Sequence, residues 1–68
     1  MSAKGKLGRA LRTLREEKGL TQTDLAEKVK VGQSYIAMLE SGDKTNPTLE
    51  VMQRLAKALK VPVTELVE

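Results

Sequence analysis

The chain has 68 residues, enough for one small domain, and 40% of them are hydrophobic. A domain of this size buries only about 60% of the surface of its unfolded chain, so its stability is marginal. Cysteine and histidine are both absent. Their absence excludes disulfides, makes a metal site implausible and removes the commonest acid-base and nucleophilic side chains. We therefore do not expect an enzyme or a cofactor. Because a chain of this length leaves no room for a ligand-sensing domain, we expect no small-molecule ligand either.

Basic residues are concentrated at the N-terminal end. The net charge is +3, but residues 1–15 hold five cationic side chains and no acidic one. A basic end of this kind suits a surface that contacts phosphate groups, although a solvated helix face would carry the same charges. No stretch resembles a signal peptide or a membrane span, so we expect a cytoplasmic protein.

The first helix is expected at Leu7 to Lys18, after a flexible basic arm of residues 1–6. Leucines at helical spacing mark its buried stripe, at Leu7, Leu11 and Leu14. Gly19 ends the helix because glycine readily adopts the left-handed conformation that follows a helix C-terminus.

Residues 21–42 are predicted to form two short amphipathic helices joined by a tight turn. Apolar residues keep helical spacing on both sides of the turn, at Leu25, Ala26 and Val29, then at Val31, Ile36 and Leu39. Only residues 30–32 remain for the turn. Two helices joined at a wide angle by so few residues form a helix-turn-helix. Its second helix, here about Gln33 to Ser41, can present one face to a DNA major groove.

The two ends of the second helix carry distinct signals. Thr21 is a good N-cap, and Asp24 follows at the spacing of a capping box. Gln22 stands at the first helical position, where free N–H groups and the helix dipole suit a phosphate. Taken alone, Gln22 would more often be an ordinary exposed residue; beside a helix-turn-helix the phosphate contact is the stronger interpretation. Lys30 stands where the turn needs a left-handed backbone, so we predict a positive φ angle there, at a cost of about 1 kcal/mol.

The third helix divides into two faces, of which Ile36 and Leu39 mark the buried one. The outward face carries short, almost uncharged side chains, namely Gln33, Ser34, Ala37, Met38 and Ser41. A solvated surface helix would more often carry Glu and Lys there. Hydrogen-bonding and methyl-contacting groups are what the reading of base edges requires, although the same face could meet a protein partner.

A polar loop follows at residues 43–47. Its Lys44, Thr45 and Asn46 side chains can donate hydrogen bonds to phosphate oxygens. Turn chemistry alone would also explain the asparagine and proline of this loop.

Thr48 is a plausible N-cap for a fourth helix. That helix has a long apolar stripe, at Leu49, Met52, Leu55, Ala56 and Leu59. Pro62 breaks it, and residues 63–67 are expected to add one last helical turn with Leu66 facing the core. The predicted fold is all-α, with five helices around one core.

Taken together, these segments resemble the Cro/repressor-type helix-turn-helix regulators, also called lambda-repressor-like or Xre-type. The resemblance covers about 7–66 and rests on LRTLREEKGLTQTDLAEK, then the turn, then SYIAMLESG, then NPTLEVMQRLAKALKVPVTEL. It implies a compact five-helix DNA-binding domain at 7–67. Such a domain acts as a transcriptional regulator, usually as a dimer on a palindromic operator of double-stranded DNA.

The resemblance also implies roles for individual residues. Base-reading positions fall on Gln33, Ser34, Tyr35, Ala37 and Met38. Phosphate contacts are expected from Gln22 and from Lys44, Thr45 and Asn46; independently of the resemblance, Arg12 of the basic N-terminal end is a further phosphate-contacting candidate. Arg15 and Glu40 match a family ion pair that links the first and third helices, the alternative being two separate surface charges. The sequence departs from the family pattern at Lys30, where glycine is frequent, and at Gly32, where serine or threonine is frequent.

Two hypotheses stay open from the sequence. One is a sequence-specific regulator that binds DNA as a dimer. The other is a protein-interaction module, such as an antitoxin or an anti-repressor partner, with DNA binding secondary. Val61, Val63 and Val67 cannot all be buried in one short terminal turn, so we predict a homodimer through this C-terminal region.

Overall fold

The computed structural model describes residues 4–66. Across this range the chain forms four α-helices and no strand. The helices are α1 Lys4–Glu17, α2 Gln22–Val29, α3 Gln33–Ser41 and α4 Leu49–Leu59, and a 3-10 turn follows at Val63–Leu66. The all-α prediction is confirmed, but the predicted fifth helix is only this 3-10 turn. Its four residues match the short runs in which 3-10 geometry is usually found.

The first helix begins earlier than the sequence predicted. It starts at Lys4 instead of Leu7 and ends at Glu17. The predicted arm is therefore shorter by residues 4–6, a stretch with no proline to stop the helix; residues 1–3 lie outside the described range. Gly19 has a φ angle of 71°, which confirms the predicted left-handed end.

The helix ends follow the capping signals in the sequence. The Thr21 hydroxyl accepts a hydrogen bond from the Asp24 N–H at 3.0 Å, and the Thr21 N–H donates to the Asp24 carboxylate at 2.9 Å. The Thr48 hydroxyl likewise accepts from the N–H of Val51 at 3.2 Å. Lys30 has a φ angle of 63°, which confirms the predicted turn, and Lys60 at the end of α4 has an unpredicted φ of 60°.

A single core receives side chains from all five elements. Its buried members are Leu7, Leu11, Leu25, Ala26, Val29, Ile36, Leu39, Met52, Leu55, Ala56, Leu59 and Leu66. The prediction that Leu49 belongs to the apolar stripe is wrong, because 69% of this residue is exposed. Leu49 is the first residue of α4 and lies beyond the part of the helix that is covered by its neighbours.

The packing of the helices leaves one side of α3 open. α1 packs against α3 and the 3-10 turn, while α2 packs against both α3 and α4. α3 is thus held from two directions, by α1 and α2. Between residues 4 and 66, no helix is long and apolar enough to cross a membrane.

Candidate nucleic-acid interface

The outward face of α3 is an open ridge, made of Gln33, Ser34 and Met38. All three are exposed, Met38 by 36%, while Ile36 and Leu39 on the opposite face have no exposed surface. The division into two faces that the sequence predicted is therefore present. Gly32 precedes the ridge as the N-cap of α3, with an extended backbone (φ −75°, ψ 152°). Since glycine has no side chain, the helix begins without a side-chain cap.

Two of the predicted base-reading residues are less accessible than the ridge. Tyr35 and Ala37 are each half-buried, and the Tyr35 side chain packs against the core. Both residues lie at the flanks of the ridge. A ligand that approaches α3 from outside would therefore meet Gln33, Ser34 and Met38 before it reached these two.

A chain of hydrogen bonds runs from the ridge into the domain. Gln33 Nε2 donates to Gln22 Oε1 at 2.8 Å, and Gln22 Nε2 donates to Glu40 Oε1 at 3.1 Å. Gln22 is half-buried at the first position of α2. The two glutamines therefore have defined positions, one on the ridge and one at the positive end of the α2 dipole.

This series of hydrogen bonds ends at a buried ion pair between α1 and α3. Arg15 Nε lies 2.6 Å from Glu40 Oε2, Arg15 Nη2 donates to Glu40 Oε1 at 3.0 Å, and Arg15 Nη1 donates to the Leu20 carbonyl at 2.7 Å. The two side chains are only 10% and 5% exposed. Hydrogen bonding to the Glu40 carboxylate raises the pKa of Arg15 above its ordinary value, against the opposing effect of burial. The two-point geometry is the strong form of this contact, and it ties α3 to α1.

The predicted phosphate-contacting loop begins at the C-terminus of α3. Gly42 ends the helix with a φ of 88°, and the Lys44 N–H donates to the Met38 carbonyl at 3.0 Å. The side chains of Lys44, Thr45 and Asn46 are exposed. The loop is therefore anchored to the helix that carries the ridge, and its donor groups face solvent.

Arg12 makes no hydrogen bond or ion pair with the ridge, with the hydrogen-bond partners of the ridge or with the loop after α3. It is exposed on α1, and its Nε lies 3.2 Å from Glu16 Oε2, one turn away on the same helix. Its side chain makes no hydrogen bond to α2, α3 or the loop. Arg15, another member of the basic N-terminal end, is buried, so part of that charge is neutralised inside the domain instead of facing outward.

Sequence reasoning missed the role of Gly8. A Cβ atom on Gly8 would lie 2.5 Å from the Glu40 carbonyl oxygen and 2.7 Å from that of Leu39. Only a glycine lets α1 approach the end of α3 this closely. The sequence did contain a signal: Gly8 interrupts an otherwise helical apolar pattern, and a glycine in such a position often allows close packing of another element.

Residues 11–66 match the family model described as helix-turn-helix. The immunity repressor protein of Bacillus phage phi105 is 38% identical over 61 residues, which are 90% of this chain and 42% of that protein. The transcriptional regulator SinR of Bacillus subtilis is 32% identical over 91% of this chain and 56% of its own length. The chain thus spans about half the length of the curated relatives it matches.

Solved structures agree with this similarity. The restriction-modification controller protein C.AhdI from Aeromonas hydrophila has a TM-score of 0.86 and 38% identity, over 93% of this chain and 94% of that one. SinR, described as the master regulator for biofilm formation and solved in complex with DNA, has a TM-score of 0.87 and 32% identity, over 91% and 98% of the two chains.

Proposed function

Because the chain belongs to the helix-turn-helix family of transcriptional regulators, which are DNA-binding proteins and not enzymes, we propose that it regulates transcription by placing α3 in the major groove of an operator. The observation that carries this proposal is the open ridge. Gln33, Ser34 and Met38 are exposed on a helix whose opposite face is completely buried. A helix held in this way can enter a groove as a rigid unit.

The ridge side chains have the chemistry for base readout. A glutamine amide can pair with the N6 and N7 edge of adenine, a serine hydroxyl can reach several base edges, and Met38 can contact a thymine methyl group. Tyr35 and Ala37 would contribute from the flanks, with the smaller surface that they expose. In this proposal, the hydrogen bond from Gln33 to Gln22 orients the reading amide before DNA arrives.

Phosphate contacts would fix the register of the domain on the duplex. Gln22 at the start of α2 would bind one phosphate together with the free N–H groups of the helix end. Lys44, Thr45 and Asn46 would bind another from the loop after α3. Arg12 would add a phosphate contact from α1 only if its side chain left Glu16, so we expect Arg12 to contribute least to phosphate binding.

We propose that two copies bind adjacent half-sites through a C-terminal contact. Val61 and Val63 are half-buried against the core, which leaves part of each for a partner; Val67 lies outside the described range. Half-sites would then be about 34 Å apart on one face of the duplex. Sedimentation that shows only monomer at high micromolar concentration would contradict the dimer.

Selection of bound sites from random duplexes tests the proposal directly. The wild type should enrich a two-fold symmetric site, and a variant with alanine at Gln33, Ser34 and Met38 should lose that preference while it keeps salt-dependent binding to any duplex. The control is Gln53→Ala, which removes an exposed amide from α4. Unchanged preference in the triple variant would contradict the proposed readout. An affinity for duplex that barely changes with salt would favour a protein-interaction module instead.

A further inference from the structure

The hydroxyl of Ser41, the last residue of α3, lies between the helix and the loop of residues 43–47. Its Oγ donates a hydrogen bond to the Met38 carbonyl at 3.1 Å, and the same Oγ accepts one from the Asp43 N–H at 3.3 Å. A serine in a helix can bond back to a carbonyl of the preceding turn, but the second bond reaches a residue beyond the helix. Ser41 therefore joins α3 to the loop.

The hydrogen bonds that hold the loop backbone converge on Met38. The Lys44 N–H donates directly to the Met38 carbonyl at 3.0 Å, and the Asp43 N–H is linked to the same carbonyl through the Ser41 hydroxyl. Among the described residues, no other N–H group of the loop has a hydrogen-bond partner. The position of the loop relative to α3 therefore depends on Asp43 and Lys44.

Gly42 makes the Ser41 contact important. Its φ of 88° turns the chain out of the helix, and its own N–H donates to the Leu39 carbonyl at 3.3 Å. Because glycine has the widest backbone freedom of all residues, a glycine alone would leave several directions open to the loop. The hydrogen bond from Asp43 to Ser41 spans Gly42 and restricts that freedom.

The Ser41 hydroxyl is not free to donate to a base edge. A serine hydroxyl has one proton, and that of Ser41 is donated to the Met38 carbonyl. Ser34 on the ridge is exposed, and its side chain has no hydrogen bond within the part of the chain that the structure describes. Sequence spacing placed both serines on the outward face of α3, but only Ser34 keeps its hydroxyl available for a ligand.

The loop carries the proposed phosphate donors, whose exposed side chains are those of Lys44, Thr45 and Asn46. Such donors fix the register of a protein on a duplex only if they keep a defined place relative to the reading helix. We propose that Ser41 is a positioning residue for DNA binding, whose hydroxyl holds the loop so that its donors meet the DNA backbone while the ridge meets the bases. The inference rests on the proposed function, except for the attachment of the loop in the free protein.

The first test uses the full chain without DNA. In Ser41→Ala the Asp43 N–H loses its acceptor, so we expect lower NMR order parameters for the amides of residues 43–46. Ser41→Thr keeps a hydroxyl at the same place and should restore them. Ser34→Ala removes an unbonded serine hydroxyl from the same helix and is the matched control, which should leave the loop unchanged. A loop as ordered in Ser41→Ala as in the wild type would overturn the proposal.

The second test is titration with the selected duplex and with an unrelated one. Ser41→Ala should weaken binding to both by about three- to tenfold, the effect of one ordinary hydrogen bond. The slope of log affinity against log salt should fall by up to about 1, because the Lys44 contact is loosened. The preferred sequence should stay the same. Ser34→Ala should do the reverse, changing the preference at one base pair and leaving the salt dependence as it was.

A combined variant shows whether Ser41 acts through the loop. Ser41→Ala should have little further effect on binding in a chain whose loop has lost its side-chain donors, through Lys44→Gln, Thr45→Ala and Asn46→Ala. An undiminished effect in that chain, an altered sequence preference in Ser41→Ala, or a loosened loop with unchanged affinity would each overturn the proposal. A chain that bound no duplex would reject the proposed function; the loss of order in the Ser41→Ala loop would still stand in that case.

Discussion

Gly8 of α1 lies against the backbone of Glu40 in α3, so closely that a Cβ on Gly8 would come within 2.5 Å of the Glu40 carbonyl oxygen. The side chain of the same Glu40 pairs with Arg15, two turns farther along α1. α1 therefore holds α3 at one residue in two ways, through a close backbone contact and a buried ion pair.

Replacement of Gly8 by alanine should destabilise the domain. Alanine is a better helix former by about 1 kcal/mol, but its methyl group would displace backbone carbonyls that cannot rotate away. We expect a net loss of about 1–3 kcal/mol, typical of overpacking, and weaker DNA binding as α3 shifts. Urea unfolding and duplex titration measure the two effects. Thr13→Ala, at an exposed position of the same helix, is the control for an added alanine without a close contact; a Gly8→Ala variant as stable as wild type would show that α1 has room to move.

Loss of Glu40 should cost more than the ion pair itself contributes. Glu40→Ala would leave the Arg15 guanidinium, in a side chain only 10% exposed, without its closest carboxylate. Breaking a fully buried pair costs about 3–5 kcal/mol, and we expect a loss near the lower end. Adding Arg15→Met should recover part of it, since the unpaired charge is gone. Denaturant midpoints measure both variants. Glu50→Ala, at the exposed ion pair with Arg54, should change stability by less than about 1 kcal/mol.

Substitution of Lys30 by glycine should stabilise the domain. The φ of 63° at Lys30 costs a lysine about 1 kcal/mol, and glycine removes this cost. We expect the Tm to rise by roughly 4–8 °C for each kcal/mol recovered in a domain of this size. Differential scanning calorimetry measures the change. Lys28→Gly, inside α2, is the control and should instead lower the Tm. A fall in Tm for Lys30→Gly would show that the Lys30 side chain stabilises the domain by more than its left-handed backbone destabilises it.

The capping box should make stability depend on pH in the acid range. The Thr21 backbone N–H, and then its hydroxyl, lower the pKa of Asp24 below 3.8. Since the folded pKa lies below the unfolded one, this stabilisation is present above pH 3.8 and is lost as the pH falls through the lowered pKa. Asp24→Asn should remove that part of the pH dependence. Urea midpoints between about pH 2 and pH 6 measure it for both proteins, with Asp43→Asn as the control for loss of an exposed carboxylate. Parallel curves for wild type and Asp24→Asn would contradict the assignment.

Gln22 and Gln33 should act as a coupled pair in DNA binding. Gln22→Ala should weaken binding to all duplexes alike, and Gln33→Ala should relax the preference at one base pair by about 1–3 kcal/mol. Because the two amides are hydrogen-bonded at 2.8 Å, the double variant should deviate from additivity by about 0.5–1 kcal/mol. A double-mutant cycle on the selected site measures this coupling. Strict additivity would mean that the contact does not persist on DNA.

The limits of the helices could be predicted from sequence wherever a residue has a specific local geometry. Thr21, Gly42 and Thr48 mark ends that the structure reproduces, because capping depends on neighbours in the chain. Leu49 could not be placed, since helical spacing does not say where the covering elements stop. Val63–Leu66 has the apolar residues of a helix but only enough length for a 3-10 turn.

The candidate site was predictable in composition but not in its connections. The outward face of α3 follows from the spacing of Ile36 and Leu39. The link from Gln33 through Gln22 to Glu40 depends on how two helices cross, which no local pattern contains.

The burial pattern of α3 has a practical consequence for engineering. Ile36 and Leu39 anchor the helix with no exposed surface, while Gln33 and Ser34 are exposed and Met38 is only partly covered. These exposed positions of α3 can therefore be substituted with little effect on the core that holds the helix. Recoding those positions should retarget the domain to other sequences without a redesign of the protein beneath.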